Sequence, residues 1–536
     1  MARPSAPSAR DRIALYVLQL GAVAVVLAAV PYKLFDLDRY FVPKELVLHV
    51  CAAVAALVCL STRRRLGLTI VDALLAAFLL TGVVSAVFST NPWAAERAMA
   101  ISVSGGVLFW VASALRSGGL VRPLLVALAM GIVIGAATSL AQAYGVQTEY
   151  FSLNRAPGGT FGNRNFVAHL SAIGTPIVVL VALTARRGIG ALLGGIGLAI
   201  ISAALVLSRS RAAWLAVIAL AVPAGALAVL TWKRWCEPRT LRRAFMLGAA
   251  VVAGAVAAIA LPNRLEWKSD SPYLDSATGL VNYKEGSGRG RLVQWGNSLR
   301  MTGAHPLLGV GPGNWPVVYP KFASKNDPSM SQDETVTSNP WPSSDWVAYL
   351  SERGVVGFAL LLLAMLGLVG RAIRDLRGGR GADDRERVLT SIALVGTLVA
   401  VAVVGAFDAV LLIAAPTFFV WTLAGALAPT ASTAFTLEKG VRPLVPIVAF
   451  GVGLIIIGRS AGQIAAIVVF STSSRIAAIE QAAHLDPGSL RIQTRLAQVY
   501  IARGDCARGR PHAHAAHDLF PSAADPRHQI AVCGGR

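Results

Sequence analysis

The chain has 536 residues, of which 55% are hydrophobic and only 14% are charged, and its formal net charge is +21. A soluble nucleic-acid-binding protein is basic but not this hydrophobic, and a disordered chain is charged but not apolar. A mean hydropathy of +0.60 together with this positive charge is typical of a protein that crosses the membrane many times. The five cysteines exclude a disulfide scaffold, and they form no CxxC or Cys/His cluster that would indicate zinc.

Thirteen segments are interpreted as membrane spans, since a spanning helix needs about 20 mostly apolar residues. They are Ile13–Val30, Leu46–Ser61, Leu66–Phe88, Ala98–Leu115, Pro123–Ala143, Phe166–Thr184, Gly188–Leu207, Ala212–Thr231, Ala244–Pro262, Trp346–Gly370, Leu389–Phe407, Ala409–Ala428 and Pro443–Gly458. The basic residues of Met1–Arg12 precede an apolar run, as in a signal peptide, but no convincing cleavage site follows, so the first segment is kept as a span. The predicted fold class is all-α, a polytopic membrane protein with about 13 transmembrane helices.

The distribution of Lys and Arg predicts the orientation, because cytoplasmic loops are richer in both. The basic clusters that a cytoplasmic N-terminus places inside are 63–65, 186–187, 233–243 and 371–387. The stretches that then face outward are 144–165, 263–345 and everything after Arg459. The second of these is about 80 residues long, which is typical of a functional loop rather than a connector. We expect it to be partly helical.

The C-terminal tail differs in kind from the apolar segments. Leu485–Pro487 recurs in similar form as Leu519–Pro521, 34 residues later, which resembles a tetratricopeptide repeat. One repeat and a fragment bury little core, so the tail is expected to rest on the membrane domain or on a protein partner. Cys506 and Cys533 are the two outward cysteines, and a disulfide and two free thiols both remain open. The predicted domains are 1–262 with nine spans, 263–345 as the outer loop, 346–458 with four spans, and the tail 473–536.

The first outward motif is Asn154–Asn165, immediately before the sixth span. Its three glycines allow close backbone approach and unusual dihedral angles. Arg155, Arg164 and Asn165 supply hydrogen-bond donors that could bind a polar ligand. A turn with polar caps is the alternative interpretation.

The second motif, Ser208–Arg211, is a short turn between two apolar spans. Arg209 and Arg211 lie outside, against the usual distribution of positive charge, and they could simply anchor the helices at the interface. Arginine also grips phosphate oxygens through two parallel hydrogen bonds, so the turn is a candidate site for an acidic lipid headgroup.

The third motif combines Gly288–Arg300 with His305–Trp315 in the long outer loop. Arg291 lies one helical turn before Trp295, so both share a side of the predicted helix. The glycines after His305 are interpreted as a helix stop and a tight turn, because no strand precedes them as a dinucleotide fingerprint requires. His305 itself is interpreted as a capping residue, with a catalytic role as the alternative.

The fourth motif, Asn339–Gly354, leads into the tenth span. Asp345, Glu352 and Arg353 are ionisable groups at the mouth of a membrane helix, and such groups usually face protein or a water-filled cavity. For Glu352 and Arg353 a role in capping or pairing is favoured over catalysis.

In these residues the chain resembles the O-antigen ligase family, which includes O-antigen polymerases and bacterial protein O-oligosaccharyltransferases. The resemblance covers about residues 60–430 and rests on four ordered motifs. Gly159–Asn165 matches the family's G-T-F-G-N-x-N pattern, and Ser210–Arg211 matches its short S-R turn. Arg289–Trp295 matches S-G-R-x-x-x-W, with Arg289 in place of the usual serine, and His305–Asn314 matches H-P-L-x-G-x-G-P-G-N.

The resemblance implies a GT-C-like glycosyltransferase architecture in the bacterial inner membrane, with a periplasmic outer loop. It implies a donor glycan on undecaprenyl pyrophosphate and an acceptor hydroxyl on another glycan, on lipid A core or on a protein. No cofactor or metal is expected, because preorganised arginines can stabilise the departing pyrophosphate. By position Arg211 and Arg291 would hold it, with Arg155 or Arg164 assisting, and Asn165, Arg209 and Trp295 are further candidate substrate-binding residues.

One departure from the family pattern concerns the base. Members commonly carry a histidine at the position of Ser343, whose hydroxyl is a poor base near neutral pH. Asp345, two residues away, is the favoured substitute, and His305 is the second candidate. Transfer with little base assistance, and an inactive relative, are the remaining interpretations.

Two functions of other classes stay open, a polyanionic-lipid transporter and a non-catalytic assembly protein. The polar residues within or beside predicted spans are few, namely His49, Asp72, His169 and Asp408, and the internal symmetry usual in transporters is not seen. Neither the choice between ligase and polymerase nor the acceptor can be read from the sequence.

Overall fold

The computed structural model is built almost wholly of helices, and the residues that it describes are 8–60, 65–152, 155–267, 269–279, 286–331, 335–378, 384–428, 434–436 and 444–534. The helices of the first half are α1 (Ala9–Leu27), α2 (Asp38–Leu60), α3 (Ile70–Val87), α4 (Pro92–Ser117), α5 (Val121–Ala143), α6 (Arg164–Leu183), α7 (Gly188–Ser208), α8 (Arg211–Leu230), α9 (Trp232–Trp235) and α10 (Pro238–Ala260). Those of the outer loop and the later spans are α11 (Pro272–Thr278), α12 (Gly286–Ala304), α13 (Trp315–Val318), α14 (Asp345–Arg377), α15 (Asp384–Phe407), α16 (Ala414–Leu427) and α17 (Leu444–Thr472). Those of the tail are α18 (Ile476–Leu485), α19 (Leu490–Ala502), α20 (Cys506–Leu519) and α21 (Ala524–Gly534). Two three-residue strands, β1 (Arg65–Gly67) and β2 (Ala434–Thr436), pair antiparallel.

Eleven helices of the described chain are long and apolar enough to cross a membrane, which confirms an all-α polytopic membrane protein. They are α2 to α8, α10, α14, α15 and α17. Helix α1 carries three charged residues, Arg10, Asp11 and Arg12, in its first turn, and α16 has only 14 residues, so neither is among the eleven. The count of thirteen spans therefore stays a prediction.

The short helix α16 lies at the centre of the bundle. Every residue of Ala414–Leu427 is buried, and the helix packs mainly against α4. Gly425 makes this approach close, since a Cβ there would lie 2.1 Å from the carbonyl oxygen of Phe109. At the periphery, α8 and α10 leave large apolar side chains such as Val222 and Phe245 exposed, as expected where helices face lipid.

Helix α14 is broken near its beginning by Gly354, which has φ 66° and ψ −177°. This conformation is essentially restricted to glycine. The break receives the glycine-rich turn of the outer loop: Val355 N donates to the Pro306 carbonyl at 2.8 Å, and Gly311 N donates to the Glu352 carbonyl at 2.9 Å. The third and fourth motifs thus meet here, and the contact fixes the outer loop on the membrane domain.

The outer loop is partly helical, as predicted, and has its own small core. Trp315 is fully buried and donates from Nε1 to Ser298 Oγ at 2.9 Å. The Tyr319 hydroxyl donates to the Asp327 carboxylate at 2.8 Å, and burial raises the pKa of Tyr319 well above its usual value. These contacts pin α12, α13 and the chain after them into one unit.

The tail rests on the membrane domain, which was one of the two predicted arrangements. Residues of α18 and α19 share a hydrophobic cluster with Phe35 and Val42, and Asn91 Nδ2 donates to the Leu519 carbonyl at 3.1 Å. Cys506 and Cys533 form a disulfide. The assignment of this tail to tetratricopeptide repeats stays a prediction.

The last span ends later than predicted. Helix α17 continues through the predicted end at Gly458 to Thr472, and the candidate span is Ile447–Thr472. Arg459 does not end the helix, because its guanidinium stacks on Trp93 at 4.0 Å and lies 3.6 Å from Asp486. Arg459 therefore lies within α17, and the tail begins after Thr472.

Candidate active site

Three of the four motifs converge on one cavity of about 290 Å³. Helices α6 and α8 begin there and α7 and α15 end there, so the cavity lies at one end of the bundle. Its arginines are Arg155, Arg164, Arg209, Arg211 and Arg291. Its other polar side chains are Asn165, His169, Ser210 and Asp408. Five guanidinium groups at the rim of a membrane domain make this cavity a strong candidate for binding anions.

The first motif reaches the cavity through a rigid turn. Gly162 has φ 74°, and a Cβ at this position would lie 2.3 Å from the ring of Tyr40. The side chain of Asn163 then caps α6 by accepting from Asn165 N at 3.0 Å. This sequence of turn and cap brings Arg164 and Asn165 to the cavity wall.

Buried polar contacts hold the same turn against the bundle. The Thr160 hydroxyl donates to the Val26 carbonyl at 2.5 Å, and Lys44 Nζ donates to the Thr160 carbonyl at 2.8 Å. Since Lys44 and Thr160 are both buried, these bonds are well shielded from water. The motif is therefore a turn with polar caps, and this turn also places candidate ligand-binding side chains at the cavity, so the two interpretations are compatible.

The second motif is anchored by the outer loop rather than by lipid alone. Arg209 ends α7 in the left-handed conformation, φ 53°, and its guanidinium stacks on Trp267 at 4.7 Å and donates to Ser276 Oγ at 2.9 Å. Arg211 opens α8 and donates from Nη1 to the Gly279 carbonyl at 2.6 Å. Residues of the loop therefore fix the directions of both guanidinium groups.

The third motif contributes Arg291, on the first turns of α12, to the cavity wall. Arg289, which replaces the family's usual serine, is exposed and does not line the cavity. Trp295 does not line it either, but its ring lies 6.4 Å from that of Phe407, which does. The sequence prediction that Arg291 and Trp295 share one side of a helix is consistent with this placement.

The residues predicted as the base do not line the cavity. Asp345 is fully buried, and its carboxylate accepts from Val410 N at 3.0 Å and Leu411 N at 2.8 Å. Ser343 N donates to Gln294 Oε1 at 2.6 Å, and His305 is exposed at the end of α12. These contacts give Asp345 a structural role, because its oxygens hold the connection between α15 and α16, and its assignment as the base stays a prediction.

A different carboxylate, that of Asp408, lines the cavity. It directly follows α15, and Asn165 Nδ2 lies 3.5 Å from its Oδ2. His169 is also part of the wall, buried in α6 with Nε2 at 3.4 Å from Ser210 Oγ. Both residues stood out in the sequence only as polar groups near apolar segments, and nothing there connected them to the arginines.

Glu352 and Arg353 have structural partners, in line with the capping or pairing role that their sequence favours. Glu352 Oε1 accepts from Trp315 N at 3.1 Å. Arg353 donates to Ser102 Oγ at 2.5 Å and stacks on Phe78 at 4.7 Å. Neither residue lines the cavity.

Comparison with known proteins identifies a family for part of the chain. Residues 196–362 match the family model described as O-Antigen ligase, whereas no curated protein matches the chain. The matched segment runs from within α7 to within α14, so it contains Arg209, Arg211 and Arg291 but not the first motif or Asp408. The segment that supplies the loop-anchored arginines of the cavity, residues 196–362, is therefore an O-antigen ligase family domain.

Proposed function

We propose that the protein is a glycosyltransferase that moves a glycan from undecaprenyl pyrophosphate to an acceptor hydroxyl at the periplasmic face of the bacterial inner membrane. The family match supports O-antigen ligase- or polymerase-type transferase activity in a multi-pass bacterial membrane protein. A ligase is our first choice, and an O-antigen polymerase or a protein O-oligosaccharyltransferase is the alternative. The cytoplasmic N-terminus and the periplasmic tail belong to the same proposal.

The observation that carries the proposal is the meeting of Arg211 and Arg291 in one cavity. They come from separate motifs, about 80 positions apart in the chain. Guanidinium groups can each bind phosphate oxygens through two hydrogen bonds, and these bonds strengthen as negative charge develops on a departing diphosphate. We propose that the two arginines hold the diphosphate and that the reaction is metal-independent, because they supply the positive charge that it needs.

The chemical step proposed is a single displacement. The acceptor hydroxyl oxygen forms a bond to the anomeric carbon, while the bond from that carbon to the phosphate oxygen breaks and its electron pair leaves with the diphosphate. The hydroxyl proton passes to a base, for which we propose Asp408, the carboxylate of the cavity wall. Attack opposite the leaving group inverts the configuration at the anomeric carbon.

Substitution of the two arginines tests the proposal. Purified Arg211→Gln and Arg291→Gln variants should each lose about 100- to 1,000-fold in kcat for transfer from a polyprenyl diphosphate-linked glycan, the usual loss when one donor to a developing oxyanion is removed. Arg211→Lys and Arg291→Lys should also lose most activity, because an ammonium cannot form two parallel bonds.

The matched control is Arg289→Gln, which removes an exposed arginine from the same loop helix as Arg291. It should stay within about twofold of the wild type, because surface charge changes of this kind have small effects. Full activity in both cavity variants, with the fold intact by thermal melting, would show that the diphosphate is bound elsewhere.

Deletion of the gene separates the three candidate activities, which are ligation, polymerisation and protein O-glycosylation. Accumulation of undecaprenyl-linked polymer would indicate lost ligation, whereas single repeat units on the lipid core would indicate lost polymerisation. Unchanged surface glycan together with unglycosylated periplasmic proteins would favour protein O-glycosylation.

A further inference from the structure

The cavity holds more arginines than a diphosphate uses in the proposed function. Each of the two phosphate groups in a sugar–lipid diphosphate carries one negative charge, and Arg211 and Arg291 are assigned to them. Arg155, Arg164 and Arg209 remain, all on the wall of the same cavity. Of these, Arg209 is already engaged by Ser276 and Trp267.

Arg155 and Arg164 form a pair at the two ends of the first motif. The backbone joins them, since Arg164 N donates to the Arg155 carbonyl at 3.1 Å. Arg155 and Arg209 are close enough to repel the Arg164 guanidinium electrostatically. Within the described part of the chain, neither Arg155 nor Arg164 forms an ion pair with a carboxylate.

Arg164 is half-buried and Arg155 is exposed, and two like charges held near each other repel unless an anion lies between them. The rigid turn at Gly162 and the Asn163 cap keep Arg164 in place despite this repulsion. A pair of arginines that the fold holds together, open to a cavity, is suited to a planar carboxylate or a phosphate.

We propose that Arg155 and Arg164 form a second anion subsite that binds a carboxylate or phosphate group next to the diphosphate. The inference rests on the proposed function and narrows its substrate class. Either the donor carries an acidic group in addition to its diphosphate, or the acceptor carries an acidic group. The acidic group belongs either to the first sugars of the donor or to the acceptor, and both present the same chemistry to the two guanidinium groups.

Binding to the full-length protein in nanodiscs tests the subsite without any transfer reaction. The protein is first saturated with undecaprenyl pyrophosphate, so that the diphosphate site is filled, and then titrated with glucuronate or with inorganic phosphate. The wild type and Arg289→Gln should bind at least one of these probes with similar affinity, and Arg155→Gln/Arg164→Gln should bind it at least tenfold more weakly. Equal binding by the double variant and the wild type, or no binding by either, overturns the proposal.

A transfer assay identifies the source of the anion. Synthetic polyprenyl diphosphate donors that begin with glucuronic acid or with glucose are combined with acceptors that carry or lack a phosphate. The measured quantity is the ratio of kcat/KM for the acidic substrate to that for its neutral counterpart, so that a general loss of activity cancels.

If the donor carries the acidic group, the ratio for the two donors should fall at least tenfold in Arg155→Gln/Arg164→Gln. If the acceptor carries it, the ratio for the two acceptors should fall at least tenfold instead. Ratios that stay at wild-type values for both pairs show that the two arginines serve the diphosphate itself, and the proposal is then wrong. Failure of the proposed function gives a different pattern, since Arg211→Gln and Arg291→Gln would then retain transfer from every donor whatever the ratios are.

Discussion

The roles proposed for Asp408, as the base, and for Asp345, as a structural carboxylate, give the sharpest test of the site. Asp408→Asn removes the proposed base but keeps an oxygen that can accept from Ala409 N, which lies 2.9 Å from Oδ1. The other described contact, with Asn165 Nδ2 at 3.5 Å, is long and contributes little. The variant should therefore keep the stability of the wild type within about 1 kcal/mol.

The expected loss of activity is much larger than the loss of stability. Positioned general bases contribute about 100- to 10,000-fold, which corresponds to about 3 to 5 kcal/mol in the activation barrier. The loss should appear in kcat, with the affinity for undecaprenyl pyrophosphate nearly unchanged, because the proposed base does not hold the diphosphate. Asp408→Ala should also recover part of its activity with added formate, which can enter the vacated space and accept the proton.

Asp345→Asn should behave in the opposite way. Its carboxylate is fully buried and accepts from two backbone N–H groups, and loss of charge-assisted bonds of this kind costs about 1.5 to 3 kcal/mol each. We expect a lower melting temperature and less folded protein in the membrane, with kcat per folded molecule changed far less than in Asp408→Asn. A stable Asp345→Asn protein without activity, beside a fully active Asp408→Asn protein, would refute the reasoning and restore Asp345 as the base.

Three further predictions concern the parts that hold the cavity in shape. Gly162→Ala should reduce transfer strongly, because a Cβ would lie 2.3 Å from the Tyr40 ring at φ 74°, whereas Gly248→Ala, with nothing within 4 Å, should leave activity unchanged; equal activity of the two contradicts the rigid-turn argument. Gly354→Ala should lower stability by at least about 1 to 3 kcal/mol and expose the outer loop to protease, because a Cβ would lie 2.2 Å from the Leu307 carbonyl oxygen; an unchanged digestion pattern contradicts it. Cys506→Ser should destabilise the tail by about 2 to 4 kcal/mol in calorimetry, and reduction of the wild type should have the same effect; a tail that melts as before would show that its packing on the membrane domain suffices.

The arginines of the cavity could be predicted because their positions depend on local features. Arg211 opens α8 and Arg164 opens α6, and the ends of apolar segments can be read from hydropathy. The prediction that the motifs face one side of the membrane then brings the helix ends together. Arg291 is different, because its role is implied by the S-G-R-x-x-x-W pattern of the family resemblance and not by a local feature.

The carboxylate of the cavity wall could not be predicted, because its place depends on contacts between distant segments. Asp345 was favoured for its nearness to Ser343 in the chain, yet its oxygens bind backbone groups of Val410 and Leu411, 65 and 66 positions away. Asp408 reaches the cavity only through the packing of α15 against α8 and α6. Hydropathy shows where α15 ends but not which neighbours its last residues face.

The lengths of two spans, α16 and α17, differ from the prediction for a related reason. The length rule assumes lipid around each helix, and α16 is instead surrounded by protein, so 14 buried residues suffice for it at the centre of the bundle. The last span is predicted to end at Gly458, directly before Arg459, and a charge is costly in lipid. The Arg459 guanidinium stacks on Trp93 and lies near Asp486 of the tail, so its charge is not exposed to lipid.

The glycine-rich turn of the outer loop shows how a motif can serve a site that it does not touch. Its segment His305–Asn314 is the most specific part of the resemblance, yet none of it lines the cavity. Instead it docks on the break of α14 at Gly354, and it directly follows α12, the helix that carries Arg291. Because the turn binds the break of α14, which only a glycine at position 354 can form, the adjoining end of α12 cannot rotate or slide freely. The turn therefore helps to fix Arg291 in the cavity wall that it shares with Arg211, and changes in the turn should alter diphosphate affinity without removing either proposed diphosphate ligand.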